Sequence, residues 1–334
     1  MTLHYEDFAV GEIAEYGAYL VTPAEIMAFA ALYDAQPFHT SEAEAAKLML
    51  AGLSASGWHT AAMLMRMNCD GFVNQSASWG GASIEEVRWL RPVRPGDTLR
   101  VRRVTKAARE SVSRPEIGII DFHFDVLNQR GETVMTQDNA MMIGRRGRTR
   151  QQRPAKPAPA MPDQAKPAAP MPPQPVWFGD LAPGMHTQIG AHQFTRGEII
   201  AFATAYDPQP FHLSEAGAAA SHFGRLAASG WQTAGIWMSL MIGARARQQA
   251  PLLANGIILP EPGVSPGFRN MRWLKPVFAG DTISFATAIV EKRASASRPG
   301  WGLVSCLNTG ANQHGERVFE FVSSLFWQMR PDLI

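Results

Sequence analysis

Apolar residues at Ile26, Phe29, Ala30 and Tyr33 recur at the spacing of a helix with one buried face. The stretch opens on Thr22-Pro23-Ala24-Glu25, a capping box, and a second such stretch opens on Thr195-Arg196-Gly197-Glu198. Pro37 and Pro208 stop these helices near Asp34 and Asp207. A short helix is predicted next, near Ser41 and again near Ser214. A longer apolar helix follows Gly57 through Ala61, Met63, Leu64 and Met67, and its counterpart follows Gly230 through Ala234, Ile236, Trp237 and Leu240. The pattern then turns to strands, predicted at 84–90, 98–112, 118–127 and 133–143. Pro95-Gly96-Asp97 and Asn128-Gln129-Arg130-Gly131 supply turns between them.

The chain is written twice. Phe29-Ala-Ala-Leu-Tyr-Asp34-Ala-Gln-Pro-Phe-His39 answers Phe202-Ala-Thr-Ala-Tyr-Asp207-Pro-Gln-Pro-Phe-His212. Ser56-Gly57-Trp58 answers Ser229-Gly230-Trp231, and Pro92-Val-Arg-Pro-Gly96-Asp97 answers Pro276-Val-Phe-Ala-Gly280-Asp281. Asp34 and Asp207 are 173 residues apart, whereas Gly96 and Gly280 are 184 apart. The second copy therefore carries an insertion, expected within residues 250–266, which are rich in Pro and Gly. Residues 148–175 are dominated by Pro, Ala, Gln and Lys and read as an extended linker, long enough to cross a domain. The expected organisation is an N-terminal domain at 1–147, a linker at 148–175 and a C-terminal domain at 176–334. In each, one apolar helix precedes a run of antiparallel strands, the α+β layout of a helix wrapped by a curved sheet. This is the hotdog arrangement, and two copies pairing edge to edge would form a double hotdog and close each other's sheet edge.

Composition narrows the function. Of 334 residues, 46% are hydrophobic and 18% charged, a profile that can bury substantial cores. A net charge of +2 advertises no nucleic acid and no acidic membrane surface. No apolar run of about 18 residues is present, so no membrane span is expected. Met1 to Asp7 has neither the basic start nor the apolar core of a signal peptide, and the two cysteines, Cys69 and Cys306, stand at non-equivalent places. A reducing, cytoplasmic setting is expected. Cysteine and histidine do not cluster at metal-ligand spacing, so no metal is expected.

The two Asp-x-x-x-x-His strings, with the Ser-Gly-Trp and Pro-x-x-x-Gly-Asp segments, resemble the hydratase motif of the MaoC-like (R)-specific enoyl-CoA hydratases. Gln36 and Gln209 stand where that family usually has Asn, Tyr33 and Tyr206 where it has Gly, and Ser56 and Ser229 where it has His. The resemblance implies a hydro-lyase acting on the C2=C3 bond of a 2-enoyl-CoA, or on the 3-hydroxyacyl-CoA in reverse. It implies no cofactor beyond the coenzyme A of the substrate. It assigns Asp34 with His39, and Asp207 with His212, as acid/base pairs that activate one water. A carboxylate beside an imidazole can orient it and make it more basic. The backbone N–H groups at Gly57 and Gly230, at the positive end of the central helix, are candidates to meet the enolate oxygen. Trp58 and Trp231 are candidate acyl-pocket walls. Arg114 and Arg298, each before a Pro, are candidates for a coenzyme A phosphate.

Each residue also has a plainer reading. The Asp and His can be a turn residue and a core histidine, although their repetition with the same neighbours weakens this. Ser56 and Ser229 read as helix caps, since no G-x-S-x-G elbow surrounds them. His59, His123 and His314 have no counterpart in the other half and receive no chemical role. Two other functions compete. A hotdog thioesterase would carry a carboxylate on the central helix, and residues 57–68 and 230–242 contain no Asp or Glu. A non-catalytic acyl-thioester binder would have no need of the pairs. The acyl group is left open between straight-chain esters and short branched or dicarboxylic ones such as mesaconyl-CoA, and further pairing into a homodimer is left open too.

Overall fold

A computed structural model describes residues 2–148 and 177–331. The predicted linker, apart from Arg148, lies outside the described residues. The first half runs β1 (Ile13–Leu20), α1 (Pro23–Tyr33), α2 (Pro37–Thr40), α3 (Glu42–Ala45), α4 (Gly57–Gly71), β2 (Ser78–Trp89), β3 (Thr98–Glu110), β4 (Ile117–Leu127) and β5 (Thr133–Gly144). The second repeats it as β6 (His186–Gln193), α5 (Arg196–Tyr206), α6 (Pro210–Leu213), α7 (Glu215–Ala219), α8 (Gly230–Ala254), β7 (Gly267–Trp273), β8 (Thr282–Ala294), β9 (Trp301–Ala311) and β10 (Arg317–Gln328). The fold is α+β.

All ten strands form one antiparallel sheet, ordered β1-β3-β4-β5-β2-β7-β10-β9-β8-β6. The halves meet where β2 pairs β7, with Ile84 opposite Met271 and Val87 opposite Phe268. Gly267 is required at this seam. Its φ is +147°, and a Cβ there would stand 2.0 Å from the Val87 carbonyl oxygen. Alternation along β4 turns Ile120, Phe122, Phe124 and Val126 inward under the helices, the period-two pattern of a sheet with one buried face. The outermost strands, β1 and β6, escape the sequence pattern because edge strands bury little and alternate weakly.

Thr22 and Thr195 cap α1 and α5, accepting from the backbone N–H of Glu25 and Glu198. Glu25 does not complete the expected box. Its carboxylate turns inward to the Tyr19 hydroxyl and to His59 Nε2 at 3.3 Å. His59 is fully buried, stacked on Phe29 with centroids 4.4 Å apart and 3.4 Å from the Tyr206 hydroxyl of the other half. The histidine given no role therefore belongs to a polar cluster where the halves meet. Nearby, Arg66 of α4 donates to the carbonyls of Thr204 and Ala205 at the end of α5, complementing that helix's negative pole.

The insertion begins earlier than its composition indicates. Helix α4 has 15 residues and α8 has 25, so the second copy first extends its central helix, through Pro251, and only then loops to β7. Among the described residues no helix is long and apolar enough to cross a membrane.

Candidate active site

Asp34 is the residue at which α1 ends, its N–H donating to the Ala30 carbonyl. Three residues later Pro37 starts the single turn of α2, which carries His39. Asp207 and His212 are delivered identically by α5 and by α6, which starts at Pro210. Asp34 and His39 are 3% and 5% exposed, and Asp207 and His212 are 4% and 5%.

In the first pair, Asp34 Oδ1 accepts from the Gln36 amide at 2.8 Å and Oδ2 from the Ser56 hydroxyl at 2.6 Å. His39 Nδ1 lies 2.7 Å from the Ser54 carbonyl oxygen. A carbonyl only accepts, so Nδ1 carries a hydrogen, and whenever the ring is neutral its lone pair is at Nε2. That nitrogen is 3.6 Å from Asp34 Oδ2. Two acceptors at this separation do not bond each other, but one water can donate to both and keep a lone pair free.

The second pair repeats this geometry. Asp207 accepts from Gln209 at 2.9 Å and Ser229 at 2.7 Å, His212 Nδ1 meets the Ala227 carbonyl at 2.7 Å, and Nε2 is 3.4 Å from Asp207 Oδ2. Two contacts are particular to it. The Cys69 thiol donates to Asp207 Oδ1 at 3.6 Å, where the other half has Ile242, and Ser78 donates to Gln209 at 3.0 Å. Burial, with Asp207 next to it, raises the Cys69 thiol above its ordinary range and keeps it a protonated donor.

The Gln and Ser side chains are the contributors that sequence reasoning missed. Ser56 and Ser229 do cap their helices, accepting from Trp58 and Trp231 N–H, but the same hydroxyls donate onto the carboxylates. The available signal was that each of these residues departs from the family's usual string in both halves at once.

Gly57 and Gly230 open α4 and α8 and line the two cavities. Their N–H groups, in the first helical turn, make no hydrogen bond among the described residues. Packing also demands glycine, since a Cβ would stand 2.3 Å from Trp89 at Gly57 and 2.2 Å from Trp273 at Gly230. Trp58 and Trp231 are buried cavity walls, Trp58 stacked on Phe268 across the seam with centroids 5.0 Å apart. Arg114 and Arg298 are exchanged between the halves. Arg298 borders the Asp34 cavity and packs over Phe326, whereas Arg114 borders the Asp207 cavity and packs over Trp79.

Each cavity is completed by the other half. Met238, Met241 and Ile242 of α8 face Asp34, and Met65 and Asn68 of α4 face Asp207. The cavity volumes are about 450 Å³ and 330 Å³. Among the described residues no group of three or more His, Cys, Asp or Glu side chains is placed to hold a metal ion.

The family model described as MaoC like domain matches twice, over residues 10–117 and 181–300. The mesaconyl-CoA hydratase of Cereibacter sphaeroides is 31% identical over 166 residues, which take in 48% of this chain and 45% of that protein. A MaoC domain protein dehydratase from Chloroflexus aurantiacus superposes with a TM-score of 0.77 at 17% identity, over 98% of each chain. Rv0216 of Mycobacterium tuberculosis, described as a double hotdog fold, superposes with a TM-score of 0.69 at 13% identity, over 97% of this chain and 98% of that one. The likeness to these structures identifies the fold of this chain as a double hotdog.

Proposed function

Because the chain belongs to the MaoC-like domain family, we propose that it is a hydro-lyase that adds water across the C2=C3 bond of a 2-enoyl-CoA thioester, or removes it from the 3-hydroxyacyl ester. The observation that carries this reading is the buried Asp–His pair, present twice, with His Nε2 3.6 Å and 3.4 Å from the carboxylate Oδ2, a separation that one water can bridge. In the reaction that water attacks C3 of the conjugated ester. The pair holds the water, takes its proton as the new C–O bond forms, and returns a proton to C2, a contribution of about 10²–10⁴-fold. Negative charge developing on the thioester oxygen is met by the free N–H of Gly57 or Gly230 at the positive end of its helix. The mostly apolar cavity walls exclude bulk water and strengthen both interactions.

Absorbance loss from a panel of 2-enoyl-CoA esters tests the reading, with free thiol release followed in parallel. The panel spans crotonyl-CoA, a longer straight-chain ester and mesaconyl-CoA. Hydration without thiol release is expected. Replacing both aspartates, Asp34→Asn with Asp207→Asn, is expected to lower kcat by about 10²–10⁴-fold while acyl-CoA binding persists. Thiol release instead of hydration would make the protein a thioesterase, and binding without turnover on every ester would make it a carrier.

A further inference from the structure

The two cavities differ in depth, and the reason lies in the cores behind them. In the first half, Phe8, Phe72, Phe122 and Phe124 interlock with centroids 5.6–6.0 Å apart, and the Arg103 guanidinium lies 4.6 Å from the Phe72 ring centroid. Strand pairing identifies the equivalents: Ala14 opposite Arg103 opposite Phe124 matches Thr187 opposite Thr287 opposite Asn308. The second half thus has Thr287 for Arg103, Asn308 for Phe124, Cys306 for Phe122 and Leu181 for Phe8. The aromatic plug is missing, and the Asp34 cavity continues into the space it would fill.

That inner end is polar and cationic. The Thr287 hydroxyl donates to Asn308 Oδ1 at 2.8 Å, and Asn308 Nδ2 donates to Ser323 Oγ at 2.9 Å, leaving the serine O–H free to donate. Arg245 is the sequence counterpart of Phe72 and borders this cavity from α8, which runs on where α4 stops. Among the described residues its guanidinium has no hydrogen bond and no ion pair, and its one contact of note is the Trp327 ring, 5.3 Å from the centroid. Arg245 is half-buried, burial lowers its pKa, and no acidic side chain among the described residues pairs with its charge. Asp34 is the one acidic side chain among the described residues that line this cavity.

We propose that the Asp34–His39 site takes an acyl thioester whose tail ends in a carboxylate, and that Arg245 binds this carboxylate in the hollow core of the C-terminal half. The proposal rests on the acyl-CoA reading of the site. The second site has no equivalent: Phe8, Phe72, Phe122 and Phe124 fill the corresponding core, and none of them lines the Asp207 cavity.

The test uses the full chain and matched saturated acyl-CoA esters of about six to ten carbons, a length suited to a pocket of this size. Their tails end in methyl, amide or carboxylate, and binding is followed by calorimetry. The carboxylate ester is expected to bind about 30-fold tighter or more than the other two, the usual scale for a buried charge pair. Arg245→Met is expected to collapse that ratio and Arg245→Lys to retain part of it. The wild-type comparison stands even if a variant does not fold. Equal binding of the three esters, or preference for methyl, overturns the proposal. Arg245→Met weakening all three esters and free coenzyme A alike would assign Arg245 to the coenzyme A phosphates and also overturn it. Turnover of the 2-enoyl carboxylate ester is expected to vanish in Asp34→Asn; if it vanishes in Asp207→Asn alone, the assignment to the first site is wrong. An Arg245-dependent preference in binding with no hydration of any ester would remove the hydratase reading and leave the tail site standing.

Discussion

Single atoms govern both Asp–His pairs. The hydroxyl of Ser56 holds Asp34 Oδ2 and caps α4 together, so Ser56→Ala removes two interactions at once. It is expected to cost about 1–3 kcal/mol of stability in denaturant titration and about tenfold in kcat at the first site, since the carboxylate is then free to turn. Gly57 faces a different constraint. Gly57→Ala is expected to lose about 1–3 kcal/mol because the new methyl meets the Trp89 ring, and Trp89→Leu in the same chain is expected to recover part of that loss. His59 supplies a pH signature. Burial lowers its pKa, so below the unfolded value of about 6.5 the unfolded chain binds a proton that the folded chain does not. Stability is therefore expected to fall as pH drops below about 6.5, with this residue adding at most about 1.4 kcal/mol per pH unit. His59→Gln, the residue that the other half carries as Gln232, is expected to remove that component in denaturation curves between about pH 5 and pH 8.

At the scale of elements, the seam between β2 and β7 decides whether the sheet has five strands twice or ten strands once. The backbone approach that joins them depends on one residue. Gly267→Ala is expected to destabilise the protein by about 1–3 kcal/mol, because its Cβ has no room beside the Val87 carbonyl and its φ is unfavourable for any side chain. Hydrogen exchange that rises first at residues 84–88 and 267–272 in this variant would locate the damage at the seam. Exchange that rises evenly over the whole chain would show that the seam does not open as a unit.

On the scale of the whole molecule, each Asp–His pair depends on the opposite half for its wall, so neither half makes a complete cavity by itself. The duplication has nevertheless diverged. One core is plugged by aromatic rings and the other is hollow, although the strands around them pair in the same register. Cys306→Phe, which restores the ring that Phe122 provides in the first half, is expected to shift selectivity toward short esters by about 10²-fold in relative kcat/KM. Unchanged selectivity would mean that acyl tails do not enter the second core.

The order of residues by itself determined the duplication, the helix that ends at Asp34 and Asp207, the strand run after it, and the recurrence of Asp, His, Gly and Trp at matched places. These are local matters of spacing, capping and repetition, visible without contacts. Weakly patterned features stayed hidden, such as the edge strands β1 and β6 and the longer course of α8. Tertiary structure alone decided the rest. It made the capping Ser56 a carboxylate donor as well, drew His59 into a buried cluster, and sent Arg298 to the Asp34 cavity across the seam. It also brought Arg245, the sequence counterpart of Phe72, to the wall of the Asp34 cavity. Such roles depend on which side chains from distant segments share one space, and that follows from how the two halves pack rather than from the pattern within either one.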